Sequence, residues 1–194
     1  MYRLESSDAL IVVDPQNDFM PGGALAVTDG ERIFAPINRI APAFEHVFAT
    51  RDWHPKNHES FVAQGGPWPI HCVADSPGAQ FHPLLLVDHI DEIVNTGVTA
   101  DAPGYSGFER TDLAERLKRA GATRVFICGV ATDYCVKETT IGALQCGFQT
   151  FVLTDAIAAV NTEPGDGAAA LEEMQRQGAV AITSSDLDLA GRAA

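Results

Sequence analysis

Short apolar runs of strand length recur along the chain. Four of them predict strands: ALIVV at 9–13, HVFAT at 46–50, RVFICG at 124–129 and QTFVLT at 149–154. Each run is apolar almost throughout, as expected of parallel strands that are covered on both faces. Two weaker runs, EIVNT at 92–96 and AVAIT at 179–183, predict two further strands.

Helical periodicity appears between several of these runs. It is clearest in DLAERLKRAG at 112–121, where Leu113, Leu117 and Ala120 share one face and Gly121 can end the helix. Further helices are predicted after Gly30, Thr132 and Pro164. Alternating strands and helices are typical of βαβ units around a parallel sheet, so the pattern predicts an α/β fold.

Residues 53–88 are rich in Pro, Gly and His and show little periodicity, which predicts a long ordered loop. Long loops in compact domains are usually functional. The whole chain has 194 residues, the size of one domain, and no repeat or low-complexity tract marks a boundary. We therefore expect a single domain over residues 1–194.

Charge and cysteine usage narrow the class of protein. With 26 Asp and Glu against 13 Lys and Arg, the net charge of −13 disfavours a nucleic-acid partner. No apolar run reaches the roughly 18–20 residues of a membrane helix, and no signal-peptide layout is present. The four cysteines lack CxxC spacing. We expect a cytoplasmic protein without a membrane partner. The sequence leaves open whether the chain forms a homo-oligomer.

Reactive side chains follow the predicted strands, where the sites of open parallel sheets lie. Asp14 follows the first strand, and Cys135 lies in the first turn of the helix after GVATDYC. A helix start favours a thiolate and offers backbone amides to an oxyanion, so Cys135 is the candidate nucleophile. Asp14 could accept and return a proton, although an aspartate beside a proline is equally typical of a turn.

A possible metal site follows the second predicted strand. Asp52 and His54 stand two residues apart in RDWHPKNHESF, and His71 follows in WPIHC. One carboxylate and two imidazoles suit zinc, iron or manganese with open positions left for water, and Ser60 or His58 could add a contact. Histidines in loops are more often structural or solvated than ligands, and that alternative stays open here.

Taken together, these motifs resemble the isochorismatase-like hydrolase superfamily, and within it the nicotinamidase/pyrazinamidase branch. The matching segments are VVDPQNDFMPGGAL at 12–25, TRDWHPKNHESF at 50–61, GPWPIHC at 66–72, YSGF at 105–108 and GVATDYCVKETTIGALQCGF at 129–148. The resemblance implies a three-layer α/β/α fold with a six-stranded parallel sheet.

The resemblance also implies a mechanism. Cys135 attacks the carboxamide carbon of nicotinamide, Asp14 moves the protons, and the amides of Ala131 and Cys135 form an oxyanion hole next to a cis Val130–Ala131 peptide. One divalent metal ion (Zn, Fe or Mn) is held by the positions of Asp52, His54 and His71. The substrate pocket is bordered by aromatic positions, for which core packing is nearly as good an interpretation: Phe19, Trp68, Tyr105 and Tyr134.

The sequence departs from this family at one catalytic position. Members usually carry Lys-Gly after the third strand, and that lysine completes the triad, whereas IVNTG places Thr96 there. Because a cation beside a thiolate lowers the pKa of the thiol, its loss predicts a slower or substrate-shifted enzyme. We estimate the cost in rate at about 10²- to 10⁴-fold.

Four functions remain open from the sequence. The first is a metal-containing cysteine amidohydrolase that converts nicotinamide, with pyrazinamide as a further candidate substrate, to the acid and ammonia. The second is a hydrolase of a different small amide, and the third is a non-catalytic homologue that binds metal and ligand. The fourth is a metallohydrolase in which metal-bound hydroxide attacks and Cys135 is incidental.

Overall fold

The computed structural model describes residues 1–189 and is built around six parallel strands. They are β2 (Asp8–Val13), β3 (His46–Asp52), β4 (Glu92–Thr96), β5 (Arg124–Val130), β6 (Gln149–Ala158) and β7 (Val180–Ile182), and they follow β1 (Tyr2–Arg3) in the chain. Their order in the sheet is β4-β3-β2-β5-β6-β7. The strand β1 pairs instead with β8 (Leu187–Asp188) in a separate two-stranded parallel sheet.

Helices cover both faces of the large sheet. They are α1 (Phe34–Ile40), α2 (Leu113–Arg119), α3 (Lys137–Gln145) and α4 (Asp166–Arg176). Successive strand residues point to opposite faces, so Leu10 and Val12 pack in the cluster that contains α1, and Ile11 packs in the cluster that contains α2, α3 and α4. The predicted three-layer α/β/α fold is confirmed.

All six predicted strands are present, and β6 differs most from its prediction. The apolar pattern ends at Thr154, but β6 continues to Ala158 after a register shift opposite Ile127 and Gly129 in β5. Partly exposed Thr154 and Asp155 interrupt the apolar run, which conceals the second half of the strand. The β1–β8 sheet has only two residues in each strand, too few to produce a periodic pattern.

The predicted long loop after β3 folds against the carboxyl edge of the sheet. Three short 3-10 turns lie between β3 and β4, at Val62–Gln64, Pro77–Ala79 and Val87–His89. Isolated bridges fix the loop in place: Gln16 with Phe81, His54 with Val73, and Phe61 with Trp68. None of the helices within residues 1–189 has the length and apolar character needed to cross a membrane.

The buried thiol of Cys128 predicts a loss of stability at alkaline pH. Burial raises the pKa of Cys128, which lies in β5 with its thiol directed at the Ile11 carbonyl oxygen 3.6 Å away. An unfolded thiol ionises near pH 8.5. The thiol therefore contributes no pH dependence below about pH 8.5, and above it stability falls by up to about 1.4 kcal/mol per pH unit.

Urea unfolding of the reduced, chelator-treated protein at pH 7.5 and pH 10 tests this effect. We expect Cys128→Ala to lose less stability between the two pH values than the unmodified chain, whatever its cost at pH 7.5. An identical loss in the two proteins would contradict the assignment.

Candidate active site

The candidate residues lie at the carboxyl ends of four neighbouring strands, at one edge of the sheet. Asp14 follows β2, Asp52 ends β3, Thr96 ends β4 and Ala131 follows β5. Asp52 and Thr96 are partners in the β3–β4 register. Cys135 lies in a π-helical turn, Thr132–Val136, that continues into α3. Cys135 therefore lies at the start of a helix, as predicted. It stands in a π-helical turn, which is wider than an α-helical turn and is frequent at functional sites.

Asp14 and Cys135 form a buried pair. Asp14 is 2% exposed and Cys135 is 6% exposed, and the Cys135 sulfur lies within 4.8 Å of an Asp14 carboxylate oxygen. The hydroxyl of Thr50 donates to Asp14 Oδ1 at 2.7 Å. Asp14 also has a φ of 48°, an uncommon conformation for a residue other than glycine that concentrates at functional sites. Asp14 therefore combines the backbone of a turn residue with a carboxylate that faces the Cys135 sulfur.

The surroundings of this pair disfavour charge on both groups. Burial, followed by the negative charge of Asp52, raises the pKa of Asp14 well above its usual range. Burial, followed by the charges of Asp14 and Asp52, raises the pKa of the Cys135 thiol as well. These surroundings act against the thiolate that the helix start favours.

Proton transfer within the pair is easier than ionisation to solvent. When the thiol passes its proton to Asp14, the pair carries one negative charge before and after the transfer. Burial opposes this step less than it opposes a new charge. The raised pKa of Asp14 also makes its carboxylate a stronger base than an ordinary aspartate. The arrangement suits a thiol that becomes nucleophilic as it attacks.

A second buried cluster lies beside this pair. Asp52 Oδ2 is 3.2 Å from His54 Nε2 and 3.9 Å from His71 Nε2. Burial acts to lower the pKa of His54, but the charge of Asp52 together with the hydrogen bonds to Asp52 and the Gly97 carbonyl raises it overall, whereas burial lowers the pKa of His71.

The far side of each imidazole in this cluster is held by a backbone carbonyl. His54 Nδ1 lies 3.0 Å from the Gly97 oxygen, and His71 Nδ1 lies 2.8 Å from the Pro69 oxygen. Because a carbonyl only accepts, both Nδ1 atoms carry hydrogen and both Nε2 atoms can direct a lone pair at the cluster. Three convergent ligand atoms of these types fit a divalent zinc, iron or manganese ion.

His58 and Ser60 are arranged differently from the predicted extra ligand. His58 Nδ1 lies 2.7 Å from Ser60 Oγ, and His58 Nε2 lies 2.6 Å from the Ala102 carbonyl oxygen. Both ring nitrogens of His58 are thus engaged, and its ring stacks on His54 with the centroids 3.9 Å apart. His58 is placed to support the His54 ring, and the Ser60 hydroxyl is turned towards His58 and not towards the cluster.

Thr96 hydrogen-bonds to the cluster of Asp52, His54 and His71 and not to the Asp14–Cys135 pair. Its hydroxyl donates to Asp52 Oδ1 at 2.9 Å, and its side chain is buried. The sequence identified this position through the family's lysine and predicted a role beside Cys135. In the structure the threonine hydroxyl donates instead to the carboxylate of Asp52.

A narrow aromatic cavity of about 30 Å³ opens over Cys135. Trp68 Nε1 donates to the Tyr105 hydroxyl at 2.7 Å, and Trp68 meets Tyr134 edge to face at 4.9 Å. All four predicted aromatic residues line the cavity: Phe19, Trp68, Tyr105 and Tyr134.

Sequence reasoning missed several residues that shape this site. Thr50 appeared only as the last residue of a strand, and Val160, which lines the cavity, gave no signal. Asp133 is buried, and its carboxylate accepts from the backbone N–H groups of Val160 at 3.0 Å and Asn161 at 2.7 Å. It thereby ties the loop after β6 to the turn that carries Cys135. An acid directly before Tyr134 could have been noticed as a potential contact.

Comparison with known proteins agrees with this geometry. The model of the isochorismatase domain matches residues 8–186. The chain belongs to the isochorismatase family. A nicotinamidase of Escherichia coli (strain K12) is 39% identical to it over an alignment of 203 positions, gaps included, that covers 92% of this chain and 95% of the relative.

Two solved structures are similar over nearly their whole length. PnC1 from L. infantum in complex with nicotinate is 42% identical, with a TM-score of 0.92, and the match covers 96% of this chain and 98% of that one. The pyrazinamidase of Pyrococcus horikoshii in complex with zinc is 47% identical, with a TM-score of 0.85, and the match covers 91% and 99%.

The raised pKa of Cys135 predicts slow alkylation of the metal-free protein. At pH 7.5 we expect iodoacetamide to modify the partly exposed Cys146 before the buried Cys135. Labelling of Cys135 should accelerate with pH, because the thiolate is the reactive form. Asp14→Asn should speed it up by removing a negative charge. Mass spectrometry of the labelled peptides gives the order, and modification of Cys135 ahead of Cys146 would refute this account.

Proposed function

We propose that the protein is an amidohydrolase that converts nicotinamide, and also pyrazinamide, to the corresponding acid and ammonia. The observation that carries the proposal is the buried Asp14–Cys135 pair at the base of an aromatic cavity that Asp52 and His71 also line. A flat heteroaromatic amide matches this combination of aromatic walls and polar floor. The nicotinamidase and pyrazinamidase relatives support the same substrate class.

The first half of the reaction forms a thioester. Cys135 Sγ attacks the carboxamide carbon while its proton passes to Asp14, and the carbonyl oxygen becomes an oxyanion. As the carbonyl re-forms, the carbon–nitrogen bond breaks and Asp14 returns the proton to the departing nitrogen, which leaves as ammonia. Thr50 keeps the carboxylate of Asp14 in place through its hydrogen bond to Oδ1.

The second half of the reaction releases the acid. Water attacks the thioester carbon, Asp14 takes a proton from the water, and the carbon–sulfur bond breaks. The thiolate of Cys135 then recovers the proton from Asp14. The backbone N–H groups of Ala131 and Cys135 would donate to the oxyanion in both halves, and the loss of one such donor commonly costs about 3–4 kcal/mol.

We also propose that Asp52, His54 and His71 hold one divalent metal ion. The buried carboxylate and the two oriented imidazoles suit such an ion, and zinc is bound in the similar pyrazinamidase structure. When bound, the ion would supply a Lewis-acidic contact for the ring nitrogen of the substrate. The side chains of Phe19 and Trp68 line the cavity and would enclose the ring and exclude water.

The reaction is tested by measuring ammonia and nicotinate from nicotinamide with purified, zinc-supplemented protein. We expect equal amounts of the two products, and a loss of at least about 10³-fold in kcat for Cys135→Ala, because the nucleophile is removed. Cys146→Ala is the matched control, since this thiol lies outside the cavity, and it should retain activity.

The other outcomes of this assay point to specific alternatives. Release that persists in Cys135→Ala would indicate attack by water without the thiol. No release from the unmodified chain with zinc bound would indicate a different amide or a non-catalytic binding protein.

The absence of the family's lysine predicts that turnover is slow and can be improved. Thr96→Lys should raise kcat for nicotinamide by about 10-fold or more at saturating zinc, because an ammonium group beside the buried carboxylates and thiol favours thiolate formation. Thr96→Met has similar length without charge and should give no gain. Steady-state kinetics of the three proteins test this, and equal kcat values for the lysine variant and the unmodified chain would disprove it.

A further inference from the structure

We propose that Thr96 is a positioning residue of the metal site, whose hydroxyl orients the Asp52 carboxylate so that its other oxygen faces the two imidazoles. The inference rests on the metal site of the proposed function. It assigns Thr96 a role in ion binding that is separate from the missing cation beside Cys135.

The two oxygens of Asp52 have different partners. Oδ1 accepts the Thr96 hydroxyl at 2.9 Å, whereas Oδ2 faces the Nε2 atoms of His54 and His71. A carboxylate only accepts, so the hydroxyl must donate. Rotation of the carboxylate about its bond to Cβ would break this hydrogen bond, and the bond therefore selects the oxygen that is presented to the ion.

The main chain of Asp52 is held as firmly as its side chain. The Gln16 side chain donates to the Asp52 carbonyl at 2.8 Å and accepts from the Asp52 N–H at 2.8 Å. Gln16 is fully buried. These two hydrogen bonds fix the backbone of Asp52, so its remaining conformational freedom lies in the side-chain torsions. The hydrogen bond from the Thr96 hydroxyl restricts those torsions.

The end of β4 supports two of the three ligands in the cluster. Thr96 holds Asp52, and the next residue, Gly97, accepts from His54 Nδ1 through its carbonyl oxygen. The β3–β4 register places Thr96 directly beside Asp52. A β-branched side chain at this buried strand end has few rotamers, so the hydroxyl is directed at little entropic cost.

The expected loss of metal affinity is based on what is typical of other metal sites. Removal of a group that hydrogen-bonds to a metal ligand typically lowers metal affinity about 10- to 100-fold. Valine has the shape of threonine without the donor, whereas serine keeps the donor without the methyl group. Comparison of the valine and serine variants therefore separates the effect of the hydrogen bond from the effect of packing.

The experiment measures zinc affinity of the metal-stripped protein by competition with a chelating dye. We expect Thr96→Val to bind zinc about 10- to 100-fold more weakly than the unmodified chain, and Thr96→Ser to bind within about threefold of it. Thr150→Val is the matched control, because Thr150 is a buried strand threonine whose hydroxyl donates to the Phe148 carbonyl, and it should leave zinc affinity unchanged.

Two results would overturn the proposal. One is a zinc affinity of Thr96→Val within about threefold of the unmodified chain, and the other is a Thr96→Ser variant as weak as the valine variant. Thr96→Ala supplies a second chain without the hydroxyl if valine prevents folding. Because the measurement needs no turnover, it is independent of whether nicotinamide is the substrate. Failure of the unmodified chain to bind zinc would reject the metal site itself together with this role.

Discussion

Two carboxylates buried side by side are the constraint on which the rest of the site depends. Asp14 and Asp52 each offer an oxygen within 4.8 Å of the other and of the Cys135 sulfur. Like charges at this separation, away from water, repel strongly and disfavour ionisation. The neighbouring contacts act against this repulsion, since Thr50 donates to Asp14 and both Thr96 and His54 act on Asp52. The sheet supplies the rigidity, because the two acids follow adjacent parallel strands.

The two acids have different roles because their surroundings differ. Burial acts to raise the pKa of Asp52, but the charges of His54 and His71 and the hydrogen bonds from His54 and Thr96 together lower it. Asp14 faces a hydroxyl and a thiol, and burial together with the charge of Asp52 raises its pKa. One carboxylate is therefore suited to remain ionised as a ligand, and the other to gain and release a proton. Pairs of titratable groups whose surroundings separate their pKa values are typical of acid–base sites.

Residue types were easier to predict from the sequence than their partners. Asp14, Asp52, His54 and Cys135 could be found because strand ends and a helix start are visible in the hydrophobic pattern. The hydrogen bonds of Thr50 and Thr96 could not be found, because each depends on the register between neighbouring strands. His58 resembled a ligand because its contact with Ala102 joins two loop residues 44 positions apart, which no local pattern shows. The second half of β6 was hidden by its partly exposed polar residues.

Thr96 shows how one position can change the charge balance of a buried site. A lysine there would bring a positive charge to the two carboxylates and the thiol, whereas a threonine hydroxyl only directs one oxygen of Asp52. Without that lysine, the groups that can offset the two acids are the imidazoles of His54 and His71 and a divalent ion that they would hold. Neutralising Asp52 removes its contribution to the raised pKa values of Asp14 and Cys135 and leaves burial as their largest cause. Ion binding and thiol chemistry are therefore more tightly linked in this chain than in one that carries its own cation.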